Sequence, residues 1–368
     1  MFDVTFVLPG LAPTGGVRAV FEIADRLQDA GRRTQILVPE RSLLPHGRGM
    51  VALAARFGPS LLAPLAQRLA PRRAIAQDWF PLRTPLLVAG VPPWRDVPPS
   101  RAVIATSWRT AEEVMRSRAV AARGVYFLQG HETWSGPARR VDATWEAFDR
   151  MIVSSDWLRS MAAERFGKTD VRLAVYGVDA AAFTPGSGHR GGDGSSTPVV
   201  GFMFDDRKVK GGGDVLSALE RVRASRRIEV RAFGLGKVPL PPWVRHTGVL
   251  SGPALANFYR SLDLFVCGSR EEAGPMTVPE AMACGVPVVT TDVGNVRLWS
   301  GDGEACRIVR PRDVSGLASA IEQLLADPAD ARRLGVAGAA AIAPFTWERM
   351  AREFDDALVS FGLLGPRP

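Results

Sequence analysis

Short, uninterrupted apolar runs recur along this sequence, each followed by a turn and then a stretch of helical spacing. Residues 4–8, 34–38, 102–106, 124–128 and 151–154 read as strands. After the first of them comes Thr14-Gly15-Gly16, read as a turn, and then Val17, Val20, Phe21, Ala24 and Leu27 at helical intervals. A continuous apolar strand is one covered on both faces, and such strands alternating with helices build a parallel sheet. The pattern breaks at residues 185–197, PGSGHRGGDGSST, which have no periodicity and read as a flexible linker. It then resumes. Residues 198–204, 228–233, 264–268 and 286–291 read as strands, and 212–222, 254–262, 278–283, 314–326 and 347–359 as helices. The expectation is an α/β protein of two Rossmann-like domains, with parallel sheets facing a central cleft that holds the ligand.

The 368 residues suffice for two such cores. With 46% apolar and 23% charged residues, the composition is that of a soluble enzyme. No apolar run reaches the roughly 18–20 residues that cross a bilayer. Met1-Phe2-Asp3 lacks a basic leader region, so a cytoplasmic location is expected. Cys267, Cys284 and Cys306 have no metal-ligand spacing and read as buried thiols. His46, His131, His189 and His246 are scattered, so no metal site is expected. The net charge is +8, and only four lysines occur, so arginine supplies nearly all the positive charge. There is no zinc finger, no RNP-type strand and no long basic block, which argues against nucleic acid. Phosphate ligands remain, as does a membrane surface. Residues 51–76 combine Leu53, Phe57, Leu61, Leu62, Leu65 and Leu69 with Arg56, Arg68, Arg72 and Arg73. A basic amphipathic helix there could lie on the inner face of a membrane. Pro59, Pro64 and Pro71 oppose one long helix, and a packed helix with a solvated basic side is the alternative.

The most informative stretch is 269–285, SREEAGPMTVPEAMACG. It follows a strand and opens a helix, where ligands bind in an open α/β sheet. Helix-start N–H groups favour an anion such as a diphosphate, and Gly274 allows close approach. Glu272 and Glu280 stand eight residues apart, and two carboxylates suit the vicinal hydroxyls of two sugar rings. Locally, Thr277-Val278-Pro279-Glu280 also fits a capping box, with Thr277 as N-cap.

The whole stretch resembles the E-x7-E signature of retaining glycosyltransferases of family 4, which have the GT-B fold. Glu272 and Glu280 match its carboxylates, and EAMACGVPVV at 280–289 matches its tail. Thr14-Gly15-Gly16-Val17 resembles the family's N-terminal glycine loop. Tyr176-Gly177-Val178-Asp179 with Phe183 and Pro185 resembles the end of its first domain. Val209-Lys210-Gly211 resembles its phosphate loop, and Phe345-Thr346-Trp347-Glu348 the start of its last helix. Residues 105–114 and 126–137 resemble members that build cell-surface glycans or decorate natural products.

The resemblance implies domains at 1–184 and 198–345, the linker at 185–197, and a helix at 346–362 that returns to the first domain. It implies that Glu280 holds the ribose of a nucleotide and Glu272 the hydroxyls of the donor sugar. Gly274, Pro275, Met276 and Thr277 would line the sugar and phosphate pocket, and Gly15 and Gly16 would approach the diphosphate. Lys210 would neutralise the departing charge, commonly the largest catalytic contribution. His131 would touch the donor sugar or the acceptor, and its neighbour Glu132 would act as an acceptor-side base or an orienting group. The sequence departs from the family in three places. Asp205 stands where an arginine is common, with Arg207 as the stand-in. Pro275 removes an N–H donor, and Tyr176 replaces a common asparagine. No D-x-D sequence occurs, which favours metal-independent transfer. The activity implied is hexosyl transfer with retention, from a nucleoside diphosphate sugar (UDP or dTDP favoured) to a hydroxyl of a glycan, lipid-linked or natural-product acceptor, without a cofactor. The alternatives are a nucleotide-binding protein of this fold that has lost turnover, and a sugar-nucleotide epimerase.

Overall fold

A computed structural model describes residues 1–39, 73–74, 79–90, 99–186, 197–236 and 238–367, of Arg73–Ala74 the backbone alone. The expected amphipathic stretch 51–76 lies outside these residues except for 73–74, and the expected linker 185–197 lies outside them except for Pro185, Gly186 and Thr197. Among the described residues no helix is long and apolar enough to cross a membrane.

The chain divides into two compact units. The first comprises Met1–Val153, Ala162–Leu173 and Ala351–Pro368, and the second Ser154–Met161 and Ala174–Met350. The first unit carries strands Phe2–Val7 (β1), Thr34–Pro39 (β2), Arg73–Ala74 (β3), Leu86–Ala89 (β4), Ser100–Ala105 (β5), Gly124–Leu128 (β6), Met151–Val153 (β7) and Val171–Leu173 (β8). They form one sheet in the order β3-β4-β2-β1-β5-β6-β7-β8. All pair in parallel except β3, which runs antiparallel to β4. The second sheet contains Val199–Met203 (β9), Glu229–Phe233 (β10), Val244–His246 (β11), Leu264–Cys267 (β12), Val288–Thr291 (β13) and Arg307–Val309 (β14). Its order is β11-β10-β9-β12-β13-β14, all parallel.

The expectation of parallel α/β architecture in both halves is met. Central strands β2, β6 and β12 are buried on both faces, as is β1 from Val4 on. Helix α1 (Gly15–Asp29) begins two residues earlier than its apolar spacing suggests. The Thr14 hydroxyl accepts the Val17 N–H at 3.4 Å, so Gly15 and Gly16 form the first helical residues instead of a free turn. Val17, Val20, Phe21, Ala24 and Leu27 are its buried stripe. In the second unit Val200, Phe202, Leu219, Val230, Val266 and Ile321 meet in one core.

The last eighteen residues complete the first unit. Phe354 is fully buried, its ring 5.5 Å from that of Phe6 and edge-on to Phe127 at 5.3 Å. Asp355 accepts a two-pronged fork from buried Arg32, at 2.8 and 3.1 Å, and a further bond from Arg367 at 2.8 Å.

Candidate functional site

In each sheet the strand order reverses once, at β1/β5 in the first unit and β9/β12 in the second. Loops leaving the carboxyl ends of two strands diverge at such a point and open a crevice for a ligand. In the second unit these are the loops after β9 and β12. The first delivers Lys208–Lys210, a single 3-10 turn closed by Gly211 at φ +64°. A Cβ at Gly211 would overlap the carbonyl oxygen of Gly268, so only glycine lets the two loops lie this close. The second loop delivers Ser269 to Thr277. Lys210 and Glu272 meet there as an ion pair, both side chains largely buried. The buried Ser269 hydroxyl donates to the other Glu272 oxygen at 2.5 Å.

The next strand end buttresses this loop. Thr291, the last residue of β13, donates its hydroxyl to the Ser269 carbonyl at 2.5 Å. The Asn295 N–H reaches the Ala273 carbonyl at 3.1 Å, after Gly294 has turned the chain at φ +54°. Asn295 is itself anchored by its side-chain amide, which donates to the Ser154 carbonyl at 2.7 Å. Tyr176 and Trp299 close over Gly274, leaving no space for a side chain there. Sequence reasoning missed these supports, because their partners lie 18 or more residues away.

Glu280 lies in the short helix Thr277–Ala283, named α8 in the series given below. The capping box does not form. Met276 occupies the cap position with helical backbone angles and makes no side-chain cap, so Thr277 is the first helical residue. Glu280 is 3% exposed and accepts the Tyr259 hydroxyl at 3.0 Å. Pro275 lacks an N–H, and its carbonyl accepts from Val278 at 2.9 Å. Arg207 does not stand free as a cation. Its guanidinium forks onto Asp205 at 2.9 and 2.7 Å, and its backbone N–H donates to the same carboxylate at 2.9 Å. These bonds hold the Asp205 carboxyl below its ordinary pKa despite burial that pulls the other way.

In the first unit Gly15 and Gly16 open α1 after β1, and His131 and Glu132 stand on the loop after β6. Gly16 packs on the Gln129 side chain, which would lie 3.2 Å from a Cβ. His131 is buried, with Nε2 2.7 Å from Asp142 and its ring edge-on to Trp145 at 5.5 Å. That partner fixes the ring's orientation, a feature absent from sequence reasoning. Glu132 adopts φ +55°, uncommon for a residue with a side chain. Its carboxylate accepts the Trp108 N–H at 2.8 Å, at the start of the helix after β5. Burial pushes its pKa up to about 7, against the pull of that N–H and of Arg109. Ser135 secures the same loop. Its hydroxyl donates to the Glu132 carbonyl at 2.9 Å and accepts the Trp108 indole N–H at 3.0 Å.

The remaining helices follow these strands. In chain order after α1 they are Trp108–Met115 (α2), Arg118–Ala121 (α3), Ala138–Ala147 (α4), Asp156–Phe166 (α5), Gly212–Ser225 (α6), Gly252–Arg260 (α7), Thr277–Ala283 (α8), Val296–Ser300 (α9), Val314–Ala326 (α10), Pro328–Ile342 (α11) and Trp347–Ser360 (α12).

Two units, each built on a largely parallel sheet whose strand order reverses at its centre, have the architecture of the GT-B fold. Solved structures agree on the fold. Sucrose-phosphate synthase from Thermosynechococcus elongatus matches with a TM-score of 0.74 at 17% identity, covering 98% of this chain and 99% of that one. The Anabaena protein HepE, in complex with UDP-glucose, matches with a TM-score of 0.72 at 16% identity, covering 98% and 100%. Residues 197–327 match the family described as glycosyl transferases group 1. Among curated proteins, the GDP-mannose-dependent alpha-mannosyltransferase of Mycolicibacterium smegmatis is 30% identical over 214 residues, 54% of either chain. The MMP alpha-(1->4)-mannosyltransferase of Mycolicibacterium hassiacum is 28% identical over 196 residues, 50% of this chain and 46% of that protein. The chain thus spans about half the length of the curated relatives it matches.

Proposed function

We propose that this protein is a retaining hexosyltransferase of glycosyltransferase family 4, which moves a sugar from a nucleoside diphosphate sugar to an acceptor hydroxyl. The observation that carries this reading is the trio Lys210, Glu272 and Ser269 at the strand-order reversal, with Glu280 held by Tyr259 eight residues on. Glu280 takes the ribose hydroxyls and Glu272 those of the sugar. Lys210, with Arg207 beside it, offsets the charge that develops as the C1–O bond to the diphosphate breaks. The acceptor oxygen forms its bond to C1 from the face that the diphosphate leaves, and the departing diphosphate oxygen takes the hydroxyl proton, which gives retention. Gly274 to Thr277 line the donor pocket, and Gly15 and Gly16 serve the diphosphate. His131, with its ring fixed by Asp142, serves the donor sugar or the acceptor. No metal is needed where fixed cations occupy the diphosphate's surroundings. UDP or dTDP is the favoured donor nucleotide, and the acceptor is a glycan, a lipid-linked saccharide or a natural product. A cytoplasmic location, with contact to the inner membrane face for a lipid-linked acceptor, completes the reading.

The test is a thermal-shift screen with UDP, dTDP, GDP and ADP on the wild type and on Glu280→Ala. A nucleotide at 100 times its dissociation constant stabilises by about 2.7 kcal/mol. One nucleotide should raise the wild-type melting temperature and lose that effect in Glu280→Ala. A folded wild type that responds to none of the four would defeat the proposal. A second reading, nucleotide binding without turnover, is favoured by the Asp205–Arg207 pair, which ties up one cation of the site. Release of free sugar from a bound donor distinguishes the two, since a binder without turnover releases none.

A further inference from the structure

Two cations of the site are each matched by a carboxylate. Lys210 pairs with Glu272, and Arg207 pairs with Asp205. The two pairs also feel each other. The Arg207 pKa is raised first by its hydrogen bonds to Asp205 and only lastly by Glu272, while Asp205, which burial alone would raise, is lowered mainly by Arg207 and lastly by Lys210. The four groups therefore form one cluster with two positive and two negative charges.

The two pairs differ in how they can open. Glu272 stands in the loop after β12, 62 positions from Lys210 in sequence. A sugar whose hydroxyls engage Glu272 gives that carboxylate new partners and leaves Lys210 to a phosphate. The other pair has no such exit. Asp205 is 9% exposed and sits two residues from Arg207 in the same loop. It holds both the guanidinium and the backbone N–H of Arg207, so side chain and main chain are fixed by one carboxylate. Leaving Arg207 would strand a buried charge, which is costly.

We propose that Asp205 sets how strongly the site holds a nucleoside diphosphate, by keeping the Arg207 guanidinium neutralised even when ligand is bound. The inference rests on the reading of Lys210, Glu272 and Glu280 as a nucleotide-sugar site. Its consequence is a deliberate moderation of affinity. The product of sugar transfer is a free diphosphate, with more charge than the donor, and two unopposed cations would retain it. A cation already paired with Asp205 orients the diphosphate but does not trap it, so the product leaves. Asp205 is thus a positioning residue that acts through Arg207.

The experiment is isothermal titration of UDP, dTDP, GDP and ADP into the wild type, Asp205→Asn, Arg207→Gln and the double variant. The amide of Asp205→Asn keeps an acceptor for the Arg207 N–H and removes one negative charge. The best-bound diphosphate should bind this variant roughly three- to ten-fold tighter, the size expected for one unit charge at partly screened range. The gain should shrink as salt is added, and it should vanish when the same change is made in the Arg207→Gln background. Where a donor is turned over, product inhibition should strengthen in parallel. Should the amide variant fail to fold, Asp205→Ser reads the same quantity. Wild-type binding with equal or weaker binding by the Asp205 variants overturns the inference and leaves the nucleotide-sugar reading standing. Tightening that persists without Arg207 also overturns it, because Asp205 would then act on the ligand directly. Failure of every form to bind any nucleotide overturns both.

Discussion

Glu132 is a single residue whose environment makes a measurable statement. Its folded pKa of about 7 stands above the ordinary carboxyl value of 4.5. The folded state therefore keeps the proton at pH values where the unfolded chain has lost it. Linkage then requires stability to be greatest below pH 4.5 and to fall as pH rises through the interval up to about 7. Denaturant unfolding of the wild type and of Glu132→Gln at pH 5 and pH 8 measures this. The wild type should lose on the order of 1–2 kcal/mol more than the variant between the two values, allowing for partial exposure of the residue. Equal losses would show that the carboxyl titrates normally. At the same scale, sequence reasoning selected Glu272, Glu280, Lys210 and Arg207, and the structure draws Lys210 to Glu272. It could not select Ser269, Tyr259 or Asp205 as their partners. A hydroxyl or a carboxylate becomes a partner only when a loop brings it within about 3 Å, and spacing along the chain does not encode that.

Elements were legible where burial is two-sided. The runs 124–128 and 264–268 are the interior strands β6 and β12 almost to the residue. Strands β8, β11 and β14 escaped notice because three residues carry no period, and all three lie at sheet edges. Helix α8 shows a different limit. Its sequence fits a capping box, but the chain enters through Met276 already in helical geometry, so the box has no extended residue on which to close. Helix α6 starts from the opposite constraint, a left-handed Gly211 pressed on the end of β12. Gly211→Ala should destabilise by at least about 2 kcal/mol, because neither the backbone angles nor the neighbouring carbonyl can accommodate a methyl group. A shift of the urea midpoint reads the cost. Any folded fraction should also lose diphosphate binding, since Lys210 is the preceding residue. A midpoint within error of the wild type would mean that the two loops can separate freely.

For the whole molecule, the two halves of the α/β pattern were readable from alternation alone, whereas the membership of each unit was not. Residues 154–161 and 174–184 precede the composition break at 185–197, yet they cluster with the second unit. The first unit depends on the far end of the chain. Asp355→Ala leaves the buried Arg32 guanidinium without its fork, a change that typically costs about 3–5 kcal/mol. The expected result is a lowered melting temperature, with nucleotide binding retained by whatever remains folded at 25 °C. A chain ending at residue 350 should fail more severely, because it lacks Phe354 as well. Limited proteolysis should then cut within residues 1–153 before it cuts within 174–350. Equal resistance in both regions would contradict the dependence.

That dependence has a temporal side. A ribosome makes Phe6 and Phe127 long before it makes Phe354, the ring that lies against both. At roughly 5–20 residues per second, the interval from residue 153 to residue 351 is roughly 10–40 s. During it, the N-terminal portion emerges without the Phe354 ring that packs on Phe6 and Phe127, while the largely contiguous stretch 174–350 of the second unit is made in one run. The second unit is therefore expected to complete its core before the first does, a sequence that pulse-labelled hydrogen exchange on refolding would check. Nascent chains of this protein should need a chaperone most before residues 351–368 appear.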